Sequence, residues 1–448
     1  MKIYSITDFG AVADGTLQTD KIQAAIDECF KNGGGEVTVP AGEFVAAGVR
    51  LRSGVTLHLL ENAVIKGTRN PEDYLGYLND TLEPIPDEYK SQDVWVKPSQ
   101  RLSYDFHTKS AARWNNGLIK AIDAHDIAII GEKGSMINGM DCFDEIGEEH
   151  YRGPHAISLQ HCKNITLKGY TIKDSANWAH NIHYSQNVSI ENVTVLAGHD
   201  GAHFNSCDDI RIANCEFYTG DDCVAGFDNY NVTVDNCILN SACSAFRFGG
   251  RDVTITNCKA YGPCKYIFRG GMSKEDKRAS APSVLGNSRN NMLSFFTYYA
   301  DKSLTIRKLP GNILIKDCVC ENADRLIHYN LSGNETWQCS SPLESITFEN
   351  FTATGIGMAL NLYSSDDMPI TLTMKNAKVS FREEAKEFVK AHSYKRITLD
   401  NVEIGNLSDV LVRSWGGDGE LVTKNLVTDV KEANYVVPAT EEFICKSI

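Results

Sequence analysis

From residue 186 onward the polar and apolar positions fall into a line that repeats. Three stretches follow one another: QNVSIENVTVLAGHDGAHFNS, CDDIRIANCEFYTGDDCVAGFDN and YNVTVDNCILNSACSAFRFGG. Each opens on an apolar–polar–apolar run, reaches an Asn, passes a small polar insert and enters a second extended run. Val188, Ile210, Val232 and Val253 begin the runs at intervals of 22, 22 and 21 residues, and Ile165 stands 23 before Val188. Alternating β-branched residues predict strands, and self-similarity at this period predicts a β-solenoid.

In a chain coiled once per repeat, equal offsets stack in columns about 4.8 Å apart. Four residues after each start come Asn192, Asn214, Asn236 and Asn257, which predicts an amide ladder. One further on, Cys215, Cys237 and Cys258 form a column suited to a tight interior. The column twelve after the start reads Asn177, Asp200, Asp222, Ser244, Lys265; the column eleven after reads Ala176, His199, Asp221, Cys243, Cys264. Asp200 and Asp222 are thus expected one above the other, with Asp221 beside them. Fifteen after the start come His180, His203, Ala225 and Arg247.

The rest of the chain fits one solenoid over residues 1–448. An amphipathic helix over 17–31, apolar at Ile22, Ala25, Ile26 and Cys29, is expected to cap the open end within a cap of residues 1–36. Residues 69–115 and 270–310 break the pattern and are expected as inserted loops, and 430–448 as a closing tail. The second insert carries Phe295, Phe296, Tyr298 and Tyr299, which read equally well as packing or as sugar platforms. Trp337 is a further candidate platform.

Composition narrows the partners. A net charge of −14 disfavours a nucleic-acid backbone, and no apolar run is long enough for a bilayer. Several of the 14 cysteines recur at one repeat offset and none shows CxxC spacing, so buried thiols are expected, and with no visible leader the cytoplasm. The oligomeric state stays open.

DFGAVADG, GGGEVTVPAGEF, SGVTLHLLENAVIKGT, RGPHAISL, SANW and the DG followed by TGDDC occur in an order that resembles the family 28 glycoside hydrolases, the polygalacturonases. The resemblance covers roughly residues 1–270. It implies a right-handed, single-stranded parallel β-helix that hydrolyses glycosidic bonds of pectic sugars with inversion, through three aspartates and no cofactor or metal. By position, the family's Asn-Thr-Asp falls on Gly198-His199-Asp200 and its Asp-Asp on Asp221 and Asp222, the first being the general acid. The family's Gly-His-Gly falls near Cys243-Ser244-Ala245, so its His is absent. Its carboxylate-gripping Arg-x-Lys is expected near residues 265–270, where YIFRG offers Arg269 without a clean match.

Hydrolysis of a glycosidic bond needs one protonated carboxyl and one carboxylate to activate water. Three clustered aspartates supply both, because mutual repulsion keeps one of them protonated. Substrate contacts are expected from His199, His203, Arg247, Arg269, Lys265 and Trp337. For Arg247 an ion pair with Asp222 is the competing reading. The histidines His155, His180, His183, His199 and His203 are numerous, but the aspartates do not require a metal. The expected activity is exo-acting hydrolysis of a pectic or related oligosaccharide. A polysaccharide lyase recruiting Lys265 or Arg247, and an inactive carbohydrate-binding helix, remain the alternatives.

Overall fold

The computed structural model describes residues 2–75, 115–279, 292–301, 306–333, 338–339, 341–416, 419–430 and 432–437. Trp337 and most of the 69–115 stretch lie outside them. The chain divides into two units, residues 1–221 with 265–287 and residues 222–264 with 288–448. Both are built as parallel β-helices.

In the first unit, strands of three kinds recur along the chain. The first kind runs Gly35–Val39, Val55–Leu59, His125–Gly131, Lys163–Lys168, Gln186–Glu191 and Asp208–Ala213, each parallel to the next. Their register places Leu57, Ile129, Leu167, Ile190 and Ile212 in one buried column, which is what the alternating pattern requires. A second series ends in Thr171–Lys173, Thr194–Ala197 and Glu216–Thr219. A third contains Gly117–Ile122, His155–Gln160, His180–His183 and Ala202–Asn205. The candidate acids lie in the turns between the second and third series. The helix Thr19–Lys31 buries Ile22, Ala25, Ile26 and Cys29 against the first strands, as its spacing predicts.

One register departs from the sequence reading. Lys173 pairs with Leu196, an offset of 23, but His180 pairs with Ala202, an offset of 22. The turn between them is one residue shorter in the later coil. His203 therefore sits beside Asn181, not His180, and His180 is an interior residue bonded to Gly201 O and the Tyr170 hydroxyl.

The second unit continues the motif with Val224–Asp235, Ser244–Thr256, Gly311–Lys316, Ser345–Ile356, Ile370–His392 and Tyr394–Ser414. Met292–Tyr298 is one of its strands, pairing Phe296 with Phe246 on one side and with Ile327 on the other. Phe295, Phe296 and Tyr298 are fully buried, so this run packs a core and does not offer sugar platforms. Tyr299 alone of the four is half-buried.

Asn192, Asn214, Asn236 and Asn257 all have φ near +54°, the left-handed corner that Asn tolerates better than most residues. In the same column of later coils the amide ladder forms, Asn401 donating to Asn376, Asn376 to Asn350 and Asn350 to Asp317. A second ladder, which the repeat analysis did not single out, joins Asn187 to Asn164 and Asn164 to Asp126. Cys215, Cys237 and Cys258, the expected column, are buried and unbridged. No described helix is long and apolar enough to cross a membrane.

Candidate active site

Two turns of equal build carry the acids, Gly198-His199-Asp200 and Gly220-Asp221-Asp222. Each glycine is required by a close neighbour. A Cβ on Gly220 would lie 1.8 Å from the Ile267 carbonyl, and one on Gly198 would lie 2.5 Å from Arg269 Cγ. The segment after Lys265 thus lies directly on both turns of the first unit, with the Arg269 amide donating to Gly198 O. It continues through a short helix, Lys274–Ala279.

Asp200, Asp221 and Asp222 each bring one carboxylate oxygen to within 4.8 Å of the others. Their partners differ. Asp200 is buried and accepts from His203 Nδ1 at 2.7 Å, and the His203 ring lies flat on Trp178, 3.7 Å between centroids at 9°. Asp222, also buried, accepts from the Ser244 amide at 2.9 Å and from Arg247 Nε. The Arg247 guanidinium stands over the Phe227 and Tyr299 rings at 5.6 and 5.8 Å. Asp221 is the most open, its side chain 17% exposed, and its contact with Arg152 Nη2 is 4.0 Å, beyond hydrogen-bond length.

Arg152 was not among the residues expected from sequence. Its Nε donates to Glu149 at 3.1 Å and lies 3.7 Å from Glu148, while Nη1 donates to Asn177 Oδ1 at 3.1 Å. Asn177 in turn donates to Glu148 at 3.2 Å. Burial pushes the Glu148 carboxyl up to about 8, against the pull of Arg152 and the Asn177 bond. Burial thus favours the protonated form of Glu148 even beside a cation. Asn177 was visible in the aspartate column, but Arg152 arrives from a turn outside the repeat.

The other expected contacts sort as follows. His199 is fully buried and stacked on Tyr151, 5.9 Å between centroids, and neither ring nitrogen has a hydrogen-bond partner among the described residues. Burial holds it neutral, reinforced by the nearby Arg152 and Arg269 charges. Arg269 is buried in an ion pair with Asp141, away from solvent. Lys265 is exposed, its amine 4.1 Å over the Tyr218 ring. For Arg247 the structure shows the ion pair with Asp222. Among the described residues the aspartates are the acidic or imidazole groups of three that converge; the histidines form no such group.

Residues 92–259 match the model of glycosyl hydrolases family 28. A probable polygalacturonase of Vitis vinifera is 29% identical over 245 residues, which are 51% of this chain and 45% of the relative. An exo-poly-alpha-D-galacturonosidase of Dickeya chrysanthemi is 28% identical over 265 residues, 50% of this chain and 41% of the relative. The chain thus matches under half the length of these curated relatives. A solved exopolygalacturonase of Thermotoga maritima shares the fold with a TM-score of 0.63 at 18% identity, covering 90% of this chain and 92% of that one. Residues 92–259 are thus similar to the family 28 glycoside hydrolases, and the two curated relatives resemble the chain distantly, at 28–29% identity.

Proposed function

We propose that the protein hydrolyses glycosidic bonds of pectic oligosaccharides from one chain end, with Asp221 as general acid. The observation that carries this is the convergence of three aspartate carboxylates within 4.8 Å of one another. Asp200 is bonded to the His203 imidazole and Asp222 to the Arg247 guanidinium. Asp221, its side chain 17% exposed, is the most open of the three and the carboxyl best placed to reach a glycosidic oxygen. In the reaction, protonated Asp221 gives its proton to the glycosidic oxygen as the bond to the anomeric carbon breaks. Asp200 and Asp222 orient a water and take its proton as its oxygen bonds that carbon. Exo action is part of the reading and is supported by the Dickeya relative, itself an exo-enzyme by name.

The nearest oxygens lie closer together than the ~6.5–9.5 Å usual between the carboxyl groups of an inverting pair. The family resemblance favours inversion, and the anomer first released, read by proton NMR, decides it. Incubation with oligogalacturonides and neutral galactosides should release reducing ends from the former. Asp221→Asn should lower turnover by about 10²–10⁴ while leaving the fold intact. Near-full turnover in that variant on a substrate with a poor leaving group sinks the assignment, and an unsaturated product absorbing in the near ultraviolet replaces hydrolysis by elimination.

A further inference from the structure

Arg152 reaches the site by an unusual route. The strand Phe143–Glu148 ends in a turn whose central residues, Glu149 and His150, both have left-handed φ values of 51° and 61°. Two such residues in succession are the signature of a turn normally given to Asn and Gly, and here each carries a bulky side chain at a cost in strain. The turn returns Arg152 to pair with Glu148 across it. The side chain is 6% exposed and its three nitrogens point to three partners: Nε to Glu149, Nη1 to Asn177 and Nη2 to Asp221. Asn177 Oδ1 also accepts from the Trp178 amide, which fixes the amide's orientation and with it Nη1.

On the hydrolase reading above, we infer that Arg152 is the positioning residue for Asp221, holding the acid's carboxyl in place and setting the pH at which it gives up its proton. The groups facing Asp221 are Asp200 and Asp222 beside it and Arg152 opposite. Tyr151, Glu149, Glu148, Lys277 and His199 surround Arg152, while His203 and Arg247 attend the other two acids. The Asp200 and Asp222 carboxylates favour a proton on Asp221, and the Arg152 guanidinium opposes it. The Arg152 guanidinium lies 4.0 Å from the Asp221 carboxylate, so its charge draws that balance toward acid. Its share of that work is adjustable, because Glu149 and Glu148 compete for the same guanidinium. Bonds from Nε to Glu149 and from Nη1 to Asn177 fix the group in space, which a lysine amine cannot reproduce.

The test uses the full chain. With carbon-13-labelled aspartate, the Asp221 carboxyl signal is identified by its loss in Asp221→Asn and titrated in wild type, Arg152→Gln and Arg152→Lys. Arg152→Gln should raise the Asp221 midpoint by about one pH unit or more. The basic limb of kcat/KM on an oligogalacturonide should move the same way. Arg152→Lys should hold the midpoint nearer wild type yet lose turnover at every pH, since charge returns without the bridge. A midpoint unmoved in folded Arg152→Gln, or a rate loss uniform in pH with no movement of the limb, overturns the inference. If Arg152→Gln does not fold, the double variant Arg152→Met with Glu149→Gln removes both charges of the pair. There the midpoint must still rise, and a fall or no change overturns the inference. Absence of turnover on every pectic oligomer would defeat the hydrolase reading alone, because the titration decides Arg152 without substrate.

Discussion

Arg269 and Arg152 are both nearly sealed from solvent in the first unit, at 1% and 6% exposure, yet their guanidinium groups are used differently. Arg269 is committed to one carboxylate, Asp141, itself 2% exposed, and donates from Nη2 to the Lys277 carbonyl. Burial pushes the Asp141 carboxyl up even with this cation against it. Arg152 is divided among Glu149, Asn177, Glu148 and Asp221, the last beyond hydrogen-bond length. A guanidinium bound to one buried acid is part of the scaffold, and removing it leaves a charge with nowhere to go. One shared among several partners biases their protonation, and its loss is redistributed. Motif position pointed to the first arginine as the functional one. The partner count points to the second.

The largest effect that tests this contrast is on stability. Arg269→Met should destabilise by about 3–5 kcal/mol in urea unfolding, since it strands Asp141 in the interior. Adding Asp141→Asn should recover most of that loss. If Arg269→Met unfolds within about 1 kcal/mol of wild type, the pair is not the scaffold element described here and Arg269 regains its claim on the substrate.

A smaller loss is expected from Gly220→Ala. The added methyl would overlap the Ile267 carbonyl and displace the segment that carries Arg269 to Asp141. Overpacking of this kind costs about 1–3 kcal/mol. Gly198→Ala meets the Arg269 side chain, which has room to yield only by straining the same pair. If both variants match wild-type stability, the segment is loosely held and the contrast between the two arginines weakens.

What the sequence made legible follows from the repeat. Period and alternation located the strands, the αL asparagines and the cysteine column, because every coil imposes the same constraint at the same offset. The aspartates were found the same way, since they occupy repeat positions and match a family motif. Arg152 was not, although it stands within the quoted RGPHAISL. It comes from an excursion between coils, where no neighbouring repeat gives the position a meaning. The same limit explains His180, misplaced by one residue because a turn shortened from one coil to the next. It explains Phe295 and Phe296 as well, whose strand follows an excursion of some thirty residues after Tyr261 and so fell out of phase. Trp337 lies outside the described residues.

The smallest effect, and the one that most sharpens the comparison, concerns Glu148. Its carboxyl sits at about 8 in the folded protein, against an ordinary glutamate value of 4.5, because burial outweighs Arg152 and Asn177. The folded state therefore binds this proton more tightly than the unfolded chain does. The resulting stability is fully present below about pH 4.5, declines as pH rises through about 8, and is gone above it. Near pH 6 Glu148 is neutral when folded, and Glu148→Gln replaces one neutral acceptor of the Asn177 bond by another. The variant should differ from wild type by under about 1 kcal/mol there. As pH rises toward 9 wild type must ionise Glu148 in a site 13% exposed, and the glutamine need not. Its unfolding curve should then be the flatter of the two, and Glu148→Gln should become the more stable protein. The same ionisation puts a second full charge 3.7 Å from Arg152 Nε and draws that guanidinium from Asp221. Parallel stability curves from pH 5 to 9 would show that Glu148 is already ionised at neutral pH. Arg152 would then be held by its own carboxylates as firmly as Arg269 is by Asp141, and the distinction between the two would lapse.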